Sequence, residues 1–284
     1  MLVDICGVDQ ESSESLLSIG TRASRDLALW NIKQSQLQFS LSVSHPVDFA
    51  VISTALRAVL CGGADAGVIT VISLIDGSIQ HTFTADEYRG MADLAVSADR
   101  IFVATPAAEV RVISASQGVV VCNLHDPGGP SVPTKLLLRS LGVEQQLVVG
   151  YRHGLINVFD VDAGTLVCSL PGHSGRINSL HELPSRQLIS ASENQQAIIW
   201  NYPQEHESAG VTSSEMWWTK SRRRCVEGSE SVLGGDDFDA SVNRHANCYT
   251  LDSSQCLLYA GFSAGFILVF SLETGQFYLI LSLH

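Results

Sequence analysis

Residues 261-GFSAG-265 match G-x-S-x-G, the spacing that exposes a strained serine nucleophile, here Ser263, in a turn between a strand and a helix. That chemistry needs a helix after the turn, but FILVF follows at once, a run of strand character. The same turn recurs as GYRHG (150–154) and GADAG (63–67), so the glycines belong to a repeated hairpin and no catalytic residue is assigned. Nine histidines offer His173 with His181, or His206 with His245, as metal ligands by type. Neither pair has structural-zinc spacing or a thiolate companion, so no metal and no cofactor are expected. Cys6, Cys61, Cys122, Cys168, Cys225, Cys248 and Cys256 form no CxxC pair, and their odd number leaves one over in any full disulfide scheme. Residues 1–15 lack the basic start and apolar stretch of a signal peptide. Reduced thiols in the cytoplasm, or in the nucleus, are the expectation.

Composition narrows the classes further. The 284 residues carry 17 Lys and Arg against 29 Asp and Glu, a formal charge of −12, which disfavours nucleic acid because phosphate binding is driven by cationic side chains. No apolar run approaches the roughly 20 residues of a membrane helix, so no membrane insertion is expected. With 45% apolar residues, only 16% charged and 23 glycines, the chain is rich in core and in tight turns, as in an all-β protein of many short strands.

The elements that position these residues emerge from a repeat. The segment 150-GYRHGLINVFDVDAG-164 lies on 261-GFSAGFILVFSLETG-275 without a gap. Gly150, Gly154, Phe159 and Gly164 recur in kind at Gly63, Gly67, Ile72 and Gly77, and again at Ala104, Ala108, Ile113 and Gly118. Trp30 and Trp200 mark two more copies, giving markers at 30, 72, 113, 159, 200 and 270. Between markers lie alternating runs such as VDFAVIS, RAVLCGG, VITVIS and IQHTF, each the length of one strand. A four-stranded antiparallel unit of about 40 residues is the expected building block, with glycine wherever a hairpin requires positive φ.

Gly172-His173 together with the Trp-Asn pairs resembles the WD40 repeat family, most closely in 172-GHSGRINSLHELPSRQLISASENQQAIIWN-201. The resemblance implies a WD40-like β-propeller of six four-stranded blades, near 2–42, 47–84, 91–125, 133–173, 177–220 and 243–284, in one domain. No closing latch is visible, so the ring either closes without one or is open and completed to seven by a partner. In the family a His, a strand Ser or Thr, a turn Asp and the Trp bond to one another within a blade. Here His173, Ser190 or Ser192, and Trp200 match, Asn194 stands in the Asp position, and Trp30 is the corresponding tryptophan of the first copy; elsewhere the set is largely lost. The resemblance also implies that Asp65, Arg152, Glu193 and Ser263, joined by Arg176 and Asn178, line one face as candidate partner contacts.

The last marker interval, 70, exceeds the others by an insertion within 203–243. It carries Trp217 and Trp218, which as strand neighbours point to opposite faces, so one of them packs on a loop or a partner. MWWTK is expected to be the last strand of the fifth unit. Lys220, Arg222, Arg223 and Arg224 form a basic cluster that suits a nuclear import signal or a solvated face.

The leading expectation is a non-enzymatic protein-interaction scaffold, a subunit of a multiprotein and obligately heteromeric complex, with no small-molecule ligand. Two alternatives come from resemblance. Trp30-Asn31-Ile32-Lys33 is similar to the Trp-Asp-x-Arg box of substrate receptors of cullin-RING ubiquitin ligases, and propeller hydrolases or lyases are known. Tyr151-Arg152-His153-Gly154 is similar to the paired-arginine motif of phosphoinositide-binding propellers, but it lacks the second arginine.

Overall fold

The computed structural model describes residues 2–4, 15–19, 24–31, 34–141, 144–183, 187–193, 197–201, 219–221, 246–252, 257–262, 266–271 and 277–282. The chain divides into two compact units, 1–138 and 139–284. In the first, β1–β4 (Leu2–Asp4, Ser15–Ile19, Asp26–Asn31, Gln36–Ser42) form one sheet, β5–β8 (Phe49–Ser53, Ala58–Gly63, Val68–Ser73, Ile79–Thr84) a second, and β9–β12 (Asp93–Val96, Arg100–Ala104, Glu109–Ser114, Val120–His125) a third. In the second unit, β14–β16 (Glu144–Tyr151, Ile156–Asp160, Leu166–Leu170) extend from β13 (Pro133–Leu141), which begins in the last residues of the first unit. Two further sheets follow: β17–β20 (Ile177–Glu182, Leu188–Ser192, Ala197–Asn201, Thr219–Ser221) and β21–β24 (Ala246–Asp252, Leu257–Phe262, Phe266–Ser271, Phe277–Ser282). Every sheet has four strands in chain order. The all-β expectation holds, since the single helix among the described residues is the 3-10 turn Asp86–Tyr88.

Burial follows strand position. All six residues of β6 and all six of β7 are buried, because the inner strands are covered on both faces by neighbouring sheets. Such strands read as continuous apolar runs, here AVLCGG and VITVIS. The fourth strands differ: β8 and β12 are exposed almost throughout. Within the first unit one core joins Leu17, Leu27 and Leu29 to Val59, Cys61 and Ile72, and another joins Leu60 and Ile69 to Ile101, Val103 and Ile113. Each fully buried Leu, Ile or Val contributes about 1.5–3 kcal/mol.

Two turns recur in the second, third and fourth sheets. Between the second and third strands, Gly67, Ala108 and Gly154 all have positive φ (+64°, +63° and +92°). Ala108 shows that the fold requires this conformation even where the side chain opposes it. Between the third and fourth strands, Gly77, Gly118 and Gly164 each donate their N–H to the carbonyl four residues back, on Ser73, Ser114 and Asp160. A register shift follows each of these turns, at Val71/Ile72, Val112/Ile113 and Val158/Phe159, so the fourth strand starts on a bulge.

Candidate functional site

In the fifth sheet, His173 precedes β17, Ser190 lies on β18 and Trp200 on β19. The Ser190 hydroxyl and His173 Nε2 are 2.7 Å apart, and Trp200 Nε1–H donates to the same oxygen at 2.8 Å. Ser190 accepts from the indole and shares a hydrogen bond with the imidazole, which ties the segment entering β17 to two strands. Of the two candidate serines it is Ser190 that bonds His173; Ser192, also fully buried, stands opposite Ile177 across β17. Asn194 lies outside the described residues. Replacing Ser190 by alanine leaves two buried groups without this shared partner, at about 1–3 kcal/mol each. The Ser190→Ala variant is expected to lose about 2 kcal/mol or more in urea unfolding.

Two further observations bear on this set. Trp30 is not a buried counterpart of Trp200: it is 38% exposed, against 2% for Trp200. It pairs with Leu37 of β4, itself 47% exposed. Nor is the histidine device lost elsewhere. In the second sheet buried His45 precedes β5, its Nδ1 lies 2.9 Å from the Pro46 carbonyl and its Nε2 2.9 Å from Thr70 Oγ1. A carbonyl only accepts, so Nδ1 carries the proton and Nε2 takes the Thr70 hydroxyl's. Cys61 occupies the strand position that Ser190 holds in the fifth sheet, and Thr70 is its cross-strand neighbour. The hydroxyl has moved one strand over.

The expected face residues divide between the two units. In the first, Asp65 is exposed at the β6–β7 turn, and its carbonyl accepts Arg89 Nη1 at 3.1 Å. In the second, Arg152 is exposed on the β14–β15 turn and Arg176 just before β17; Asn178 on β17 is half-buried. Arg176 N–H donates to Glu193 Oε1 at 3.1 Å, and Glu193 N–H returns a bond to the Arg176 carbonyl at 2.9 Å. Gly154 packs against the same approach: a Cβ there would lie 2.4 Å from the His173 carbonyl oxygen and 3.0 Å from that of Gly175. Arg152, Arg176 and Glu193 are thus brought into one neighbourhood by backbone contacts, with both guanidinium-bearing residues exposed.

Ser263 lies outside the described residues, as do Trp217, Trp218, Arg222, Arg223 and Arg224. So do Ile32 and Lys33 of the Trp30 box, and His206 and His245. Of the expected strand MWWTK only Thr219 and Lys220 are described, in β20. The G-x-S-x-G turn is flanked by β22 and β23, two strands, where a nucleophile elbow requires a helix after it. His181 Nε2 is 2.6 Å from Ser179 Oγ. Among the described residues no group of three or more His, Cys, Asp or Glu is placed to hold a metal ion.

The beta-propeller domain of Cps50 (Swd1) from Myceliophteria thermophila is similar to this chain with a TM-score of 0.71, over 94% of this chain and 83% of that one, at 15% sequence identity. The fold is a β-propeller. The match extends to 1671 solved chains, so the propeller alone assigns no activity. No family model matches the sequence, and no curated protein does.

Seen as blades, the sheets are joined by charges that sequence inspection does not single out. On β13, Lys135 Nζ lies 3.6 Å from Asp93 of β9, whose carboxylate also accepts the Leu136 N–H at 2.9 Å. Further along β13, buried Arg139 reaches Glu182 of β17 at 3.0 Å. In the third blade Arg111 bonds Glu109 at 2.6 Å and Glu87 at 2.9 Å. Partial burial alone would lower the Arg111 pKa, but its bonds to Glu109 and Glu87 outweigh this and raise it.

Burial also pushes the Cys61 thiol up to about 12 and that of Cys168 up to about 11, the latter opposed by nearby Arg139. The folded chain then keeps protons that the unfolded chain releases above pH 9, so stability is complete below pH 9 and falls as pH rises through the folded values. Each thiol should remove about 1.4 kcal/mol per pH unit. Urea midpoints measured between pH 8 and 10 are expected to fall more steeply for the wild type than for Cys61→Ala/Cys168→Ala.

Proposed function

We propose that this chain is a non-enzymatic interaction scaffold, a subunit of a multiprotein complex, with partners held on loops rather than in a reaction centre. The observation that carries the reading is how Arg152, Arg176 and Glu193 are placed. Their backbones are fixed by the Gly154 contact and by the reciprocal Arg176–Glu193 bonds, while both arginines are exposed. Such an arrangement suits recognition, because ordering cost is met during folding rather than on binding. A polar protein segment with carboxylates is the partner chemistry that two exposed guanidinium groups favour. The free thiols of Cys61, Cys122 and Cys168 suit the cytoplasm or the nucleus.

The test is charge reversal at positions that bear no core. Arg152→Glu/Arg176→Glu, expressed in the native cells beside the wild type, is expected to fold normally and to lose at least one stoichiometric partner on gentle affinity capture. An unchanged set of partners would remove these residues from the interface.

A further inference from the structure

The outer strands of the first unit, with the turns that lead into them and Trp30 on β3, carry a row of exposed apolar side chains that the loop reading does not use. Trp30 and Leu37 belong to the first blade, Ile75 and Ile79 to the second, and Val119, Val120 and Val121 to the third. Ile75 is 78% exposed and the aliphatic others are 45–57% exposed. Leu37, Ile79 and Val120 are equivalent, each standing across from a marker position of the repeat, Trp30, Ile72 and Ile113. β12 is exposed on both faces at its start, so Val120 and Val121 both meet water.

Turns link the row from one blade to the next. A Cβ on Gly77, between Ile75 and Ile79, would lie 2.8 Å from the Phe39 ring of the first blade, and one on Gly118 would lie 2.4 Å from the Phe83 ring of the second. Each turn therefore sits on the outer strand of the blade before it, which places the exposed apolar side chains of the three blades along one rim. Seven such side chains form a patch on the order of 500 Å², the size at which an exposed apolar surface marks an interaction site. Across segments 35–41, 74–83 and 116–123 there is no Lys or Arg, and the one carboxylate is Asp76, in the middle of the row. Bonds from Ser73 and Ser78 lower the Asp76 pKa and so favour its ionised form.

We infer that this rim docks an amphipathic helix of a partner protein, its apolar stripe on Trp30 to Val121 and its flanks basic. Charge selects the partner: residues 1–138 hold eight Lys and Arg against fourteen Asp and Glu, so a second copy brings acid against acid and Asp76 towards Asp76, whereas lysines or arginines complement both. Direction selects the helix. Three packed sheets about 10 Å apart make a stripe on the order of 20 Å long that crosses the strands. About 14 helical residues at ~1.5 Å each span it, whereas an added β-strand runs along a single edge.

The inference rests on the scaffold reading but on different residues, and its test separates the two. The full chain is titrated with a fluorescent synthetic helix of about 18 residues bearing leucine at i, i+3, i+4 and i+7 on a lysine-rich background, and with its glutamate-rich counterpart. The lysine peptide is expected to bind at least tenfold more tightly than the glutamate peptide. Ile75→Asn/Val119→Thr/Val121→Thr, which leaves net charge unchanged, is expected to lose that binding tenfold while its circular dichroism stays native. Equal binding by the wild type and this variant overturns the rim assignment, because attraction is then only to overall charge. A wild-type dimer in sedimentation that the same variant dissolves also overturns it, in favour of a second copy. Loss of partners from Arg152→Glu/Arg176→Glu alone, with the rim variant behaving as wild type, leaves the scaffold standing and removes the rim.

Discussion

Gly154→Ala should lose about 3 kcal/mol or more of stability, well beyond an ordinary glycine replacement. Gly154 has φ +92°, and its missing Cβ would fall 2.4 Å from the His173 oxygen and 2.7 Å from the His173 carbonyl carbon. Both are backbone atoms, so the clash cannot be relieved by turning a side chain; the segment carrying His173 has to move. That movement pulls His173 away from Ser190 and weakens the bonded set of the fifth blade as well. Gly129 is the control, with φ +127° and nothing within 4 Å of its would-be Cβ. Gly129→Ala should lose about 1 kcal/mol from backbone conformation alone. Equal losses in urea unfolding would show that the Gly154 contact is not tight.

Glu182→Ala should be comparably damaging, at about 3 kcal/mol, for an electrostatic reason. The Arg139 side chain is fully buried, and Glu182 supplies a carboxylate oxygen at 3.0 Å from the next blade. Removing that charge leaves the buried guanidinium with less compensation, whereas removing both partners does not. Arg139→Met/Glu182→Leu is therefore expected to recover most of the loss, with a coupling energy of at least about 1 kcal/mol in the double-mutant cycle. Additive losses would mean that the pair contributes no coupling.

How much of this was legible in the sequence depends on the range of the interaction. The blades are visible because each repeats a local requirement: positive φ at Gly67, Ala108 and Gly154, and again at Gly77, Gly118 and Gly164, separated by apolar runs. Ser190 was one of two serines two residues apart on a strand in which every residue is buried, and only the structure shows which one reaches His173. The His45–Thr70 bond escaped because its hydroxyl sits on the third strand, where the repeat pattern does not place one. Trp30 differs from Trp200 in burial, a residue of the right type and place that is 38% exposed, as its cross-strand neighbour Leu37 is exposed too. Arg139 and Glu182 lie 43 positions apart on separate blades, and no local periodicity joins them. The apolar rim was hidden for a related reason: valines and isoleucines after a turn look alike whether the strand is inner or outer, and only sheet order tells which faces water.

Native mass spectrometry of the chain isolated gently from its own cells tests the central claim most directly. A scaffold subunit is expected to appear in a stoichiometric heteromer, whose mass identifies its partners and which the Arg152→Glu/Arg176→Glu variant alters. A lone species of 30.6 kDa, with no partner retained at any ionic strength, would contradict that account.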